Sequence, residues 1–176
     1  LFESNNVFKK NFVGLRDRFI IDFLYQTGVR LSELINLKIS DLNIVNKQVI
    51  ISGKRNKQRL LPLTDSIIFL FQEYNVFRQR LHPNSSFLFL TIKGKKTYPK
   101  MIYRIVNHYL SLVSSVSKTS PHVLRHAFAT HLLNKGADLN AVKDLLGHNS
   151  LAATQVYTHN SLDKLKSVFD QAHPKA

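Results

Sequence analysis

The 176-residue sequence contains no cysteine. Disulfides and thiolate metal sites are therefore excluded, and a reducing cytosol is the default compartment. Acid is scarce as well: 11 Asp and Glu stand against 25 Lys and Arg, a formal net charge of +14. No cluster of carboxylates is available to hold a pair of magnesium ions, which leaves two-metal phosphodiester chemistry unsupported. No apolar run approaches the ~20 residues that span a bilayer. No stretch has the form of a secretory leader, and no internal repeat or low-complexity segment occurs. The first residue is Leu1 rather than methionine, so the chain reads as a fragment of a longer protein.

What remains is a basic globular domain. The length and a hydrophobic content of 44% suit one domain with a sizeable core. A folded domain with this charge ordinarily meets a polyanion, and nucleic acid leads the candidates. The bland alternative is a ribosome-like or generally sticky basic protein. An anionic membrane surface fits less well, because the Lys and Arg residues are dispersed rather than gathered beside an amphipathic helix.

Apolar periodicity predicts a mostly α domain with a small antiparallel β-sheet, an α+β class. Residues 1–14 lack a clear period. From Leu15 the pattern is helical through Phe19, Ile20, Phe23 and Leu24, and Gly28 stops it. A short helix follows at 32–37. Gln48-Val-Ile-Ile-Ser52 and Arg59-Leu-Leu-Pro-Leu63 read as paired strands around a polar turn, with Pro62 favouring an edge. Thr64-Asp65 caps a long helix to about Leu81. Phe87-Leu-Phe-Leu90 reads as a buried strand or extended segment, and Lys93-Gly-Lys-Lys96 as a basic loop. Helices are predicted from Pro99, over 121–134 with Gly136 closing it, over 139–146 between Asp138 and Gly147, around Tyr157, and over 161–172.

The chemistry centres on Ser120-Pro-His-Val-Leu-Arg-His-Ala-Phe-Ala-Thr-His-Leu-Leu133. Ser120 and Pro121 suit the N-cap and first position of a helix. His122 and Arg125, spaced i, i+3, share one face, while Leu124, Phe128 and Leu132 recur on another. A proton-transfer group and an anion clamp at a helix N-terminus form a plausible half-site for phosphate. Elsewhere stand Arg30 after a glycine-ended helix, Lys54 and Lys57 on the hairpin turn, His148 after a helix end, and Tyr157 on a helical pattern. Each has a bland reading alone: Arg30 as a surface partner of Glu33, the lysines solvated, the histidine structural, the tyrosine in the core. Together they supply Arg pairs to grip phosphate oxygens, a Lys or His to protonate a leaving alkoxide, and a Tyr to attack. His122, His126 and His131 make a poor zinc pattern, and His126 is better read as satisfying a hydrogen bond within the helix packing.

Four segments in order carry a specific resemblance: Thr27-Gly-Val-Arg-Leu-Ser-Glu-Leu34, Gly53-Lys-Arg-Asn-Lys-Gln-Arg-Leu-Leu-Pro-Leu63, His122-Val-Leu-Arg-His-Ala-Phe-Ala-Thr-His-Leu-Leu133 and Leu146-Gly-His-Asn-Ser-Leu-Ala-Ala-Thr-Gln-Val-Tyr-Thr-His159. From about Leu15 onward the chain resembles the catalytic domain of a tyrosine recombinase, of the phage-integrase family and similar to bacterial Xer recombinases. The resemblance implies the DNA breaking-rejoining catalytic fold over 15–176, with 1–14 a linker remnant and the family's N-terminal DNA-binding domain outside this chain. It implies that Arg30 and Arg125 grip the scissile phosphate, Lys54 protonates the 5′-hydroxyl, His122 and His148 assist, and Tyr157 forms a 3′-phosphotyrosine. Glu33 would buttress Arg30. Lys57 lies near enough to Lys54 for the two to compete for that role.

The resemblance further implies strand exchange through a Holliday junction at a specific DNA site. The assembly would be a homo- or hetero-tetramer docked through the last helix, with neither metal nor cofactor, and an activating translocase as a further partner. The setting would be the bacterial cytoplasm, at the nucleoid. Arg55, Lys57, Lys93, Lys95 and Lys96 are candidate phosphate contacts. Chromosome dimer resolution and mobile-element integration or excision both fit. A type IB topoisomerase-like enzyme and a catalytically silent DNA-binding module are the other readings.

Overall fold

The structure is a computed structural model, and it describes residues 7–53, 57–112 and 119–147. Helix α1 (Phe12–Thr27) is its spine. It starts three residues before the periodicity becomes visible at Leu15, because Asn11 takes the N-cap and its Oδ1 accepts from Gly14 N at 3.0 Å. Phe19, Ile20, Ile21, Phe23 and Leu24 are all fully buried. Arg16, Asp17, Asp22, Gln26 and Thr27 are buried beside them, so the helix is enclosed on nearly every side. The Phe19 ring lies 5.0 Å from Phe89, 6.0 Å from Tyr74 and 6.1 Å from Phe71, the spacing of tilted aromatic packing. Two charges are buried on the same helix as a pair: Arg16 Nη2 lies 2.7 Å from Asp17 Oδ1, and Arg16 Nη1 donates to Leu90 O.

The sheet has three antiparallel strands in the order β1 (Leu42–Asn43), β2 (Gln48–Ser52), β3 (Gln58–Pro62). The two expected strands are present, β3 shifted by one residue, and the short β1 is an addition that periodicity over two residues cannot signal. Pro62 stands on an edge strand opposite Gln48, where its missing N–H leaves no ladder bond unmade. Strand alternation turns Val49 and Ile51 inward from β2, and Arg59 and Leu61 inward from β3.

Thr64 caps α3 (Asp65–Leu81), accepting from Ile67 N at 3.3 Å. Near the other end Arg78 is 1% exposed and donates to the carbonyls of Phe87 and Ser85. It thereby pins the segment 85–90, which bends at Leu88 and Phe89 between isolated bridges, Lys38 to Phe87 and Leu90 to Lys96. Helix α4 (Pro99–Ser111) presents Ile102, Ile105, Val106 and Tyr109 to the core, and Phe8 stacks on Tyr109 at 4.3 Å. Helix α5 (Pro121–Asn134) has the expected bounds and buries Leu124, Phe128 and Leu132. Ser120 sits at its N-cap, but the hydroxyl makes no capping bond; only its carbonyl accepts, from Val123 N.

The C-terminus of α5 closes with bonds from Ala137 N to Leu132 O and from Gly136 N to Leu133 O, both 3.0 Å. Asp138 then caps α6 (Leu139–Leu146) through Asn140 N and Ala141 N. Among the described residues no helix is long and apolar enough to cross a membrane. The helices expected around Tyr157 and over 161–172 lie outside the described residues.

Candidate active site

The site begins where α1 stops. Gly28 has φ +59, and a Cβ there would stand 2.4 Å from Phe128 Cδ1. The bare glycine backbone is what lets the Phe128 ring of α5 close over the end of α1. It also presents the Gly28 carbonyl to Arg125 Nη1, which donates to it. Two residues on, Arg30 is the N-cap of α2 (Leu31–Leu34) in extended conformation. Glu33 Oε2 accepts from Arg30 N at 2.8 Å, and Glu33 Oε1 from Arg30 Nη1 at 3.1 Å. The Arg30–Glu33 pairing expected from the i, i+3 spacing is present.

Glu33 has a second and tighter partner. Arg59 reaches it from β3 with both terminal nitrogens, at 2.8 Å each, a bidentate fork on a carboxylate. Arg59 Nε donates to Leu145 O at 2.9 Å. By sequence alone Arg59 reads only as a strand start. The available signal was its alternation with Leu61 and Leu63, which puts a charge on a buried strand face, where an arginine requires a partner.

The three arginines converge on the end of α6. Arg59 Nε donates to the carbonyl of Leu145, Arg125 Nη2 to that of Leu146 at 2.8 Å, and Arg30 Nη2 to that of Gly147 at 2.9 Å. The last carbonyls of a helix lack intrahelical partners and carry partial negative charge. Here three consecutive ones are held by guanidinium groups from α5, β3 and the start of α2. The described hairpin also arrives at this place: a Cβ on Gly53, the residue before Lys54, would lie 3.7 Å from Glu33 Oε1.

The electrostatics are one-sided. Arg30 and Arg59 share the carboxylate of Glu33 as their ionic partner, and Arg125 feels the charges of all three. Burial opposes the ionised form of Glu33, but the hydrogen bonds and charge of Arg59, with the Arg30 backbone and side chain, outweigh it and hold the carboxyl below its ordinary value. Arg125 is pushed down to about 10, first by burial and then by the charge of Arg30, with Glu33 opposing. It stays charged at neutral pH. An arginine disfavoured by its like-charged neighbours is a group that an entering anion would relieve.

Other expected residues fall as follows. His122 stands on α5 one turn before Arg125, exposed. Lys57 is exposed on the hairpin, where its carbonyl accepts from Gly53 N at 2.7 Å. Lys93 and Lys95 are exposed. Lys96 is half-buried over the Phe87 ring, 5.0 Å from its centroid, and donates to Asn36 just beyond α2. Lys54, Arg55, His148 and Tyr157 lie outside the described residues. His126 is exposed rather than satisfied within the helix packing; with His131, Thr130 and Tyr25 it lines a shallow groove between α1 and α5. Among the described residues no group of three or more His, Asp or Glu could hold a metal ion.

This fold has known counterparts. Residues 4–163 match the model of the phage integrase family. The chain belongs to the phage integrase family. Its relatives there include tyrosine recombinases of the Xer kind. It is 42% identical over 174 residues to tyrosine recombinase XerC of Chlorobaculum parvum, covering 95% of this chain and 52% of that protein. It is 41% identical over 180 residues to tyrosine recombinase XerD of Staphylococcus haemolyticus, covering 100% of this chain and 60% of the relative. Among solved structures, XerH site-specific recombinase bound to a palindromic difH substrate superposes with TM-score 0.72 at 33% identity, over 89% of this chain and 45% of that one. The chain thus spans about half to three-fifths of the length of these curated relatives.

Proposed function

We propose that the chain is the catalytic domain of a site-specific DNA recombinase of the Xer kind. The observation that carries this is the gathering of Arg30 and Arg125, 95 positions apart in the sequence, on the same end of α6 with an excess of positive charge. Two arginines in one place can hold both non-bridging oxygens of a phosphodiester and stabilise the charge that builds as phosphorus becomes pentavalent. Half-exposed, Arg30 retains access to such an anion.

In this reading the Tyr157 oxygen attacks phosphorus, its proton passes to His122, and His148 positions the phosphate. The P–O bond to the 5′ oxygen breaks, and that oxygen takes a proton from Lys54. A 3′-phosphotyrosine ester replaces one phosphodiester ester, so the bond is conserved and the reverse step, with a 5′-hydroxyl from a second duplex, rejoins the strand. Lys57, Arg55, Lys93 and Lys95 extend the basic surface for duplex phosphates. Residues 15–176 would be the catalytic unit. The remainder of the relatives' length would hold a second DNA-binding domain, and tetramer formation would run through the segment after Ser161. The identity with XerC and XerD proteins favours chromosome dimer resolution over mobile-element integration.

The test is capture of a covalent adduct. The chain is incubated with a pool of nicked duplexes made from sheared bacterial genomic DNA, and protein-linked DNA is recovered under denaturing conditions and sequenced. The expected result is enrichment of one short site and loss of all adduct on Tyr157→Phe. An adduct that survives this substitution, or none from the unaltered chain, refutes the reading. Relaxation of supercoiled plasmid without site preference would instead place the chain with type IB topoisomerases.

A further inference from the structure

We propose that Arg59 is a positioning residue for strand cleavage: it sets the aim of Arg30 by clamping Glu33, and locks both to the end of α6. The inference rests on the reading of Arg30 and Arg125 as the phosphate clamp. Arg59 itself cannot serve as a third clamp residue. Its side chain is 8% exposed, against 40% for Arg30, and all three of its guanidinium nitrogens are engaged, with Glu33 Oε1, Glu33 Oε2 and Leu145 O.

The geometry shows how it acts through another group. Glu33 receives four hydrogen bonds, two from Arg59 and two from Arg30. Without Arg59 the carboxylate would be held from one side, by the residue it is meant to steady. A planar fork fixes a carboxylate in orientation as well as distance, which an ammonium cannot do. With Glu33 fixed, the Arg30 backbone N–H and Nη1 are fixed, and Arg30 Nη2 is left on Gly147 O, next to position 148. The second contact of Arg59, on Leu145 O, holds the same helix end that Arg125 and Arg30 touch at Leu146 and Gly147. Arg59 also lies on β3, paired across β2 with Ile51, one strand position beyond the Ser52–Gln58 pair that closes onto Gly53. One side chain therefore ties the base of the hairpin turn to the phosphate arginine and to the approach to residue 148. Displacements of about 1 Å in such a constellation cost on the order of 100-fold in rate.

Arg59→Lys keeps the charge and loses the fork. Single-turnover adduct formation is measured on the duplex recovered above, alongside duplex affinity. The same duplex is also used with a methylphosphonate at the scissile position, which removes the phosphate charge that Arg30 would neutralise. We expect duplex affinity within about twofold of the unaltered chain, and adduct formation about 30- to 100-fold slower on the natural phosphate. On the methylphosphonate the slowing should shrink to less than about fivefold, because a misaimed guanidinium matters less where there is no charge to meet.

The ratio of the two rates is taken within one preparation, so it does not depend on how much of the variant folds. Equal slowing on both substrates, or an unchanged rate on the natural phosphate, overturns the proposal. Failure of the underlying reading shows separately, as an Arg30→Lys variant that cleaves normally or a Tyr157→Phe variant that still forms adduct.

Discussion

Replacing Gly28 with alanine tests the junction on which the site is built. Two costs add. The first is conformational: at φ +59 an L-residue is strained by about 1–2 kcal/mol relative to glycine. The second is steric. The new methyl would lie 2.4 Å from Phe128 Cδ1, 2.9 Å from Phe128 Cε1 and 3.0 Å from a Leu146 methyl, where carbon atoms prefer about 3.5–4.0 Å. Phe128 is 1% exposed, so the ring has to move by about an ångström inside a packed core, and overpacking of that kind costs about 1–3 kcal/mol.

The sum is about 2–5 kcal/mol, and at about 2–4 °C per kcal/mol the melting temperature of a chain this size falls by roughly 4–20 °C. Gly136→Ala is the control. Its φ is +86, but a Cβ there meets nothing within 4 Å, so only the conformational cost remains, about 1–2 kcal/mol. Thermal and urea denaturation of the two variants separate the terms. If Gly28→Ala costs no more than Gly136→Ala, Phe128 is not packed over the end of α1, and the account of how Arg125 reaches Gly28 O falls with it.

Glu33→Gln should lose about 3–5 kcal/mol at neutral pH, since it leaves two guanidinium groups without their carboxylate. Because the folded-state value of Glu33 is depressed, its contribution is complete above its ordinary 4.5 and is lost as pH falls through the folded value; the gap between Glu33→Gln and the unaltered chain should therefore close in acid. Asp17 works in the opposite sense, because burial raises it and stability falls as pH rises past its ordinary 3.8, so urea titrations must compare the two proteins at each pH rather than either alone. Arg78→Met should lower the urea midpoint by the equivalent of about 2–4 kcal/mol with the m-value unchanged, the cost of leaving the Phe87 and Ser85 carbonyls unpaired. Arg125→Lys cannot span Gly28 O and Leu146 O with one ammonium, and adduct formation should fall by about 100-fold or more; a rate within tenfold of normal would contradict its placement.

Much of this architecture is legible in the chain before any coordinates. The bounds of α5 and α6 follow from Pro121, Gly136, Asp138 and Gly147, because caps are local chemistry. The start of α1 is not visible, since Val13 and Gly14 break the apolar period that Asn11 in fact caps. Strand β1 is too short for any period. The Arg30–Glu33 contact is readable because it is i, i+3. The clamp by Arg59 crosses 26 residues and joins a strand to a helix start, and no local rule connects those positions. The alternation of β3 raises the question of a partner for Arg59 but does not name it. The placement of Arg30 and Arg125 on successive carbonyls of α6 likewise belongs to packing, and only the resemblance of the motifs anticipates that the two arginines meet.

The bonds that define the site have a consequence for when it can exist. Arg30 to Gly147 spans 117 residues, Arg125 to Gly28 spans 97 and Arg59 to Leu145 spans 86. Contacts this distant in sequence form only after the intervening loops have closed, late in folding. A nascent chain that has not yet delivered residues 145–147 holds Arg30 and Arg59 on Glu33 at most, and lacks the helix end on which the three arginines converge. The cluster is therefore completed by packing and not by local sequence: the three guanidinium groups reach one helix end only when the last described helix docks.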